Sequence, residues 1–313
     1  MQDAIYRDID QAKSFILRGE GLSVNVTDFG ARLMSFCYEG ADMLVGPKSP
    51  DELKADTCYC GSICGRVANR IAGGEFALDG VSYRLPTNNG PNHLHGGMRG
   101  FDARLWETLR ADEQRVDLRL HSPAGAEGYP GALEVYASYY VCGHELHLEM
   151  RAESDAPTLI NLTNHAYWNL SGSACVDDHS LQVAADAYTP MVANIPTGAI
   201  DTVEGTLYDL REPALLGERY AALGAGYDDN YVLRGEGLRL AAVLSDGRHR
   251  LSVYTDAPGM QVYTGDYLPH PRQGVALEAQ SFPDTPHHAH FPSIVLRPGQ
   301  TYTRHIFWDI ARA

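Results

Sequence analysis

The feature that most restricts the fold of this chain is a period-two alternation of apolar and polar residues, interrupted at intervals by short turn sequences. Side chains along a strand point alternately to opposite faces, so such a segment offers one face to a core and the other to solvent or a ligand. LSVNVTDF alternates through Leu22, Val24 and Val26, LEVYASYYV through Leu133, Val135, Ala137, Tyr139 and Val141, and HLEMRA through Leu148 and Met150. In FALDGVSYRL the Asp79-Gly80 step separates Phe76 and Leu78 from Val81, Tyr83 and Leu85. Asp-Gly accepts the positive φ angles of a type I′ turn, which makes it the strongest short-range hairpin signal. Ser245-Asp246-Gly247-Arg248 divides LRLAAVL from LSVYT in the same manner. Hairpin after hairpin predicts a large antiparallel β-sandwich. Helical spacing is confined to DELKADTCY and EPALLGERYAALG, each long enough for a short helix.

The 313 residues suffice for a sizeable core and no low-complexity linker divides them, so a single domain over residues 1–313 is expected. A formal net charge of -15 repels phosphate backbones and anionic lipid. Nucleic acid and membrane surfaces are therefore disfavoured as partners, and a neutral ligand fits better. The segment MQDAIYRDIDQAKSF is charged throughout, and no later run reaches the ~18 apolar residues of a membrane span, so a cytoplasmic location is expected. The six cysteines are sparse for a disulfide framework. Cys58, Cys60 and Cys64 lack the paired C-x2-C halves of a structural zinc site, and free thiols are expected.

Four stretches carry polar residues that a core does not explain. GRVANRIAGGEF holds Arg66, Asn69 and Arg70. A guanidinium can fork hydrogen bonds to vicinal hydroxyls, or it can pair with one of the 40 acidic residues at the surface. NNGPNHLHGG presents His93 and His95 on the same side of an extended segment. A metal site that begins with H-x-H continues with a carboxylate, whereas Gly96, Gly97, Met98 and Arg99 follow here, so a histidine bonded to a neutral ligand is favoured over a metal ligand.

In NLTNHAYWNL a strand beginning at Leu159 sets Asn161, Thr163 and His165 on one face. Burying such groups unpaired costs ~1–3 kcal/mol each, so they are hydrogen-bonded or face a ligand, and Asn and Thr neighbours can fix the histidine tautomer. A satisfied core histidine is the alternative. VALEAQSFPD places Glu278 in an apolar strand. Desolvation there raises a carboxyl pKa, as a general base working near neutrality requires; a buried ion pair with an arginine is the alternative.

Together with EGYPG, ADAYTP, IPTGAI, GYDDNYVL and PGMQVYTGDYL, the stretches GRVANRI, NNGPNHLHGG, NLTNHAYWNL and LEAQSFPD resemble the aldose 1-epimerases, or galactose mutarotases, and follow that family's order from about Gly30 to Asp284. The resemblance implies an all-β fold, a large antiparallel β-supersandwich with few short helices and an open cleft on one side. It implies interconversion of the α and β anomers of a free monosaccharide such as galactose or glucose, with no metal and no other cofactor. The family's general base falls on Glu278 and its general acid on His165. Its substrate-binding residues fall on Asn69, Arg70, His95, Asp228 and Gln261. Trp168, Asp229 and the run Thr285-Pro286-His287-His288 depart from the pattern, which leaves acid and base intact and the choice among galactose, glucose, xylose and arabinose open. Two other readings are a sugar-binding module without turnover and a hexose-phosphate epimerase relative. The second needs a basic cluster, of which the motifs supply chiefly Arg70.

Overall fold

The computed structural model describes residues 2–313, with side chains from residue 5 onward. Two antiparallel sheets form its body. The larger has nine strands in the spatial order Glu107–Ala111, Arg115–Ser122, Leu133–Cys142, Glu145–Ser154, Tyr302–Arg312, His249–Thr255, Arg239–Ser245, Ser180–Val183 and Ala214–Leu215. The smaller has seven, in the order Asp201–Thr202, Ala185–Thr189, Asp228–Leu233, Gly259–Tyr263, Val275–Gln280, Tyr167–Trp168 and Leu44–Val45. A four-stranded meander from Ser14 to Asp42 precedes them.

The alternation read from the sequence sets the layers. Leu133–Cys142 and Glu145–Ser154 pair along their whole length, from Leu133 opposite Ser154 to Cys142 opposite Glu145. Their inward residues, among them Val135, Ala137, Tyr139, Leu146, Leu148 and Met150, join one core with Met260, Val262, Val275, Leu277 and Ala279 of the smaller sheet. The alternate residues Gln261 and Glu278 therefore point to the other side of that sheet. Val275–Gln280 is nonetheless buried on both faces, because Cys60, Tyr167, Tyr263, Leu268 and Ala276 form a second cluster over the outer one.

The Asp79-Gly80 hairpin has φ of 51° and 79°, both positive as a type I′ turn needs. The second hairpin differs. Its loop is the three residues between Arg239–Ser245 and His249–Thr255, and only Gly247 takes a positive φ, 83°. The Asp246 carboxylate closes that loop by accepting from Arg248 N–H at 2.8 Å and from His249 N–H.

Both expected helices form. Pro50–Ala55 starts at Ser49, whose hydroxyl accepts the Glu52 N–H, and Leu216–Leu223 ends at Gly224 with φ of 73°. A third helix, Gln2–Gln11, lies outside the expectation. Ile5, Tyr6 and Ile9 pack there with Phe29 and Leu53, an apolar stripe too short to stand out in a charged segment. The single strand expected from Leu159 is broken into Thr158–Leu159, Thr163–Asn164 and Tyr167–Trp168, which share no partner and pair with four different strands. Its side-chain amides explain the breaks: Asn161 exchanges hydrogen bonds with the Ser281 backbone, and Asn164 donates to Gly61 O. Among the described residues no helix is long and apolar enough to cross a membrane, and the six cysteines are free thiols.

Candidate active site

Strand register determines which side chains meet on the outer face of the smaller sheet. Asn230 is opposite Gln261, and Gln261 is opposite Glu278. Tyr167 is opposite Ala276, so His165 and Glu278, two residues further in opposite chain directions, face each other at the end of that ladder. Nε2 of His165 lies 3.5 Å from Oε1 of Glu278, and the residues are only 4% and 2% exposed. They form part of the wall of a cleft of 280 Å³ that Asn69, Arg70, His95 and Asp228 also line. A larger cavity of 430 Å³ adjoins it at Thr57 and Cys58, but Leu44, Val45, Pro47 and Leu268 line that one and no histidine does.

Gln261 is not at the cleft surface. It is fully buried and donates from Nε2 to Asp228 Oδ1 at 2.7 Å, so what it fixes is the Asp228 carboxylate. Asp228 Oδ2 is 3.8 Å from Arg70 Nη1, and Arg70 Nε donates to Asn89 Oδ1 at 3.0 Å. Arg70 is thus held between a carboxylate and an amide. The surface ion pair considered for it does not form: it is 8% exposed, with its partner in the cleft. Arg66 belongs to the scaffold instead. It is buried and donates to Ser122, Pro123, Pro130 and Thr158, all neutral acceptors, and burial pushes its pKa down to about 10.

His95 is oriented by Asn69. The short strand His93–Leu94 pairs with Arg70–Ile71, and one step further His95 and Asn69 both take positive φ, 49° and 62°. His95 N–H donates to Asn69 O, and Asn69 N–H donates to His95 Nδ1, each at 3.1 Å. A ring nitrogen that accepts carries no proton, so neutral His95 bears its proton on Nε2 and is a donor there. Burial above all, with His165 and Arg70 adding, holds its pKa well below the ordinary value. One donor atom each from His95, His165 and Glu278 lies within 4.8 Å of the others, close enough for a metal ion. The Asn69 N–H decides against that reading, because it leaves His95 Nε2 protonated and without a lone pair for a metal.

His93 and His95 do not share a side, contrary to the extended reading. The left-handed residue at His95 reverses the chain, and His93 bonds instead to Pro86 O at 2.7 Å and Tyr129 OH at 2.8 Å. Nor do the Asn and Thr neighbours fix the His165 tautomer. Thr163 Oγ1 and His165 Nδ1 are both buried without a hydrogen-bond partner, and Asn161 and Asn164 are engaged elsewhere. Aromatic packing orients the ring: Tyr167 at 4.9 Å and Tyr59 at 6.2 Å between centroids.

Protonation follows from burial. Desolvation, with the Asp228 charge adding and Arg70 opposing, raises the Glu278 pKa well above the carboxylate range. Desolvation pushes His165 down to about 4. Burial thus pushes both groups toward their neutral forms in the free protein. A carboxyl and an imidazole side by side can take a proton from one oxygen of a small molecule while returning one to another.

Sequence reasoning passed over Asn88, Asn89 and the tyrosines. Asn88 holds the His95 loop by donating to Leu94 O and Gly97 O, and both amides lie within the quoted NNGPNHLHGG. Tyr59, Tyr167 and Tyr263 line the cleft but read as core residues in sequence. Trp168 packs in the core against Phe36 at 5.2 Å and Trp308 at 5.8 Å, and Asp229 alternates with Asp228 away from the cleft face. None of the three departures from the family pattern, Trp168, Asp229 and the run Thr285-Pro286-His287-His288, is among the residues lining the cleft.

The family profile "Aldose 1-epimerase" matches residues 13–307. The chain is 40% identical to galactose mutarotase of Bos taurus over 95% of this chain and 93% of the relative. It is 34% identical to aldose 1-epimerase of Escherichia coli K12 over 90% of each. Among solved structures, the GalM/aldose epimerase homologue from C. elegans superposes with a TM-score of 0.91 at 29% identity, covering 96% of this chain and 99% of that one. Galactose 1-epimerase from Lactobacillus acidophilus superposes at 0.86 with 31% identity, covering 95% and 93%. With a profile that runs nearly end to end and relatives of this identity matched over almost their whole length, the chain belongs to the aldose 1-epimerase family.

Proposed function

We propose that the protein interconverts the α and β anomers of a free aldose such as galactose or glucose, with Glu278 as general base and His165 as general acid. The observation that carries the reading is the buried His165–Glu278 pair, 3.5 Å apart in the cleft wall. Glu278 Oε2 has no hydrogen-bond partner in the protein. A C1 hydroxyl donating to it stabilises the carboxylate, and a ring oxygen accepting from His165 stabilises the imidazolium, so sugar binding favours the ionised forms from which the reaction starts.

The Glu278 carboxylate then removes the O1 proton, the O1 electrons form the C1 carbonyl, and the C1–O5 bond breaks. Its electron pair goes to O5, which takes the proton from His165. Rotation about C1–C2 turns the other face of the aldehyde to the O5 hydroxyl. Reclosure returns the O5 proton to His165 and the Glu278 proton to O1, so the cycle balances without a redox or group-transfer partner. His95, Asn69, Arg70 and Asp228 offer donors and an acceptor to the remaining hydroxyls, which keeps the ring in place while C1 turns.

The phosphate alternative finds little support, because among the described residues Arg70 is the sole lysine or arginine lining the cleft, and Asp228 and Asn89 already engage it. Unpaired atoms would serve a pure binder as well; what favours turnover is that a carboxyl and an imidazole, an acid–base pair, stand 3.5 Å apart. The test is polarimetry of freshly dissolved α-galactose and α-glucose. Acceleration over the buffer blank is expected, and a rate equal to the blank for these and for xylose and arabinose overturns the reading.

A further inference from the structure

Three non-glycine residues of the cleft wall, Tyr59, Asn69 and His95, have positive φ, of 59°, 62° and 49°. Asparagine tolerates this region, but a bulky aromatic does not, and it persists there only where its surroundings over-determine it. For Asn69 and His95 the surroundings are their mutual hydrogen bonds. For Tyr59 they are a loop fastened at both ends.

On one side the Asp56 carboxylate accepts from Cys58 N–H at 3.0 Å and Cys60 N–H at 3.1 Å. Asp56 is paired in turn with Arg32, whose guanidinium also donates to Cys60 O at 2.7 Å, and the two side chains are 6% and 4% exposed. On the other side Ser62 N–H and Oγ–H donate to Tyr59 O, at 3.0 and 2.8 Å. The loop is also stitched to the backbone of His165: Gly61 N–H donates to His165 O at 2.8 Å, and His165 N–H donates to Ser62 O at 2.9 Å.

The result is a tyrosine ring against both cleft histidines, 4.6 Å from His95 and 6.2 Å from His165, with the second contact stacked at 26°. The two histidines need it differently. His95 is held by a hydrogen bond at Nδ1, whereas His165 Nδ1 has no side-chain partner and its ring is packed among aromatic rings with Nε2 toward Glu278.

We propose that Tyr59 is a positioning residue for proton transfer, its ring locked by the Arg32–Asp56 loop so that it sets the His165 imidazole toward Glu278 and keeps water from it. The inference rests on the role of His165 given above. The ionisable groups that face His165 are Glu278, His95, Tyr59, Tyr167 and Tyr263, with Asp56 and Arg32 behind the loop. Burial raises the pKa of all three phenols, so Tyr59→Phe removes no charge from this set at neutral pH.

The experiment compares wild type, Tyr59→Phe and Tyr59→Leu by kcat and KM for galactose mutarotation and by nitrogen-15 NMR titration of His165, identified with His165→Asn. Tyr59→Leu is expected to lower kcat by about 10- to 100-fold with KM within about twofold, since small misplacement of a reacting group has effects of this order. It also raises the His165 pKa as water reaches the ring. Tyr59→Phe, which keeps the ring, is expected to lose markedly less kcat than Tyr59→Leu and to hold the His165 pKa nearer the wild-type value. If Tyr59→Leu does not fold, Tyr59→Gly, which accepts the positive φ while removing the ring, takes its place with the same expectation. Wild-type kcat and His165 titration in the ring-less variant overturn the proposal, as does equal damage in Tyr59→Phe. A wild type that fails to accelerate mutarotation counts against the proposed function, while the NMR titration still decides on Tyr59.

Discussion

His165 Nε2 and Glu278 Oε1 lie 3.5 Å apart, while the other polar atom of each side chain, Nδ1 and Oε2, is buried without a hydrogen-bond partner. Leaving buried polar groups unpaired costs ~1–3 kcal/mol apiece. A core built for stability would have satisfied or replaced them. The pair is arranged for a ligand that brings its own hydroxyl groups.

Removing either member should therefore abolish turnover while sparing binding. Glu278→Gln and His165→Asn are each expected to lower kcat for mutarotation by about 10² to 10⁴, the usual contribution of a positioned base or acid. Because the two act as a unit, the double variant should lose little more than the worse single one. Polarimetry supplies the rates, and calorimetric titration with galactose checks that affinity changes by less than about tenfold.

The pH dependence follows from the directions in which burial moves the two groups. It pushes the His165 pKa down to about 4 and raises that of Glu278 well above the ordinary carboxylate range. The acid limb of the activity profile is thus expected near pH 4, and its alkaline limb well above the ordinary carboxylate range. An acid limb near pH 6.5, where an unperturbed histidine titrates, would show that burial does not govern His165.

Glu278 also has a sign to give stability. Its native pKa is raised above the unfolded value, so between the two the native state binds more protons, and stability is lost as pH rises through the native pKa. Glu278→Gln lacks that loss. Its melting temperature should exceed that of wild type at pH 8 and approach it at pH 4, where the unfolded and native carboxyls are both protonated. Equal melting temperatures at both pH values would count against the raised pKa.

How much of this was readable without coordinates depends on the range of the interactions. Alternation is local, so the inward faces of Leu133–Cys142 and Glu145–Ser154 followed from sequence, whereas Glu278 stands among apolar neighbours on both faces and its direction did not. The positive φ of Asp79-Gly80 did, because one dipeptide determines it. Sheet register is non-local. That Gln261 would lie behind Asp228 rather than at the cleft, and that His165 would face Glu278, depends on which strands pair, which a single strand does not encode. The reversal that parts His93 from His95 depends on Asn69, 26 residues away in sequence. The helix Gln2–Gln11 was hidden for a different reason: only Phe29 and Leu53 give its short apolar stripe a purpose.

Asp228 should act on both affinity and ionisation. Its charge is the second largest cause of the raised Glu278 pKa, after burial, and its carboxylate stands between Gln261 and Arg70. Asp228→Asn is expected to raise KM for galactose by about tenfold or more, because one charged hydrogen-bond acceptor is lost and Arg70 loses its counter-ion. It should also move the alkaline limb of the rate profile to lower pH, since the neighbouring negative charge no longer opposes ionisation of Glu278. Gln261→Leu should reproduce part of the KM effect without the pH shift. A Gln261→Leu variant that moves the alkaline limb as far as Asp228→Asn would mean that orientation, not charge, sets the Glu278 pKa.

The Asn69–His95 contact separates two chemistries available to the same three residues. His95, His165 and Glu278 have the donor types and spacing of a metal site, yet the Asn69 N–H at 3.1 Å from His95 Nδ1 places the His95 proton on Nε2. Such a nitrogen donates to a sugar oxygen and cannot bind a metal unless it is deprotonated or that hydrogen bond breaks. Incubation with EDTA followed by its removal should leave the mutarotation rate unchanged, and nitrogen-15 NMR should show His95 as the Nε2–H tautomer at neutral pH. Loss of activity restored only by a divalent metal, together with a His95 protonated at Nδ1, would reverse the assignment. With that tautomer, the role proposed for His95 is to donate to a sugar hydroxyl beside His165 and Glu278.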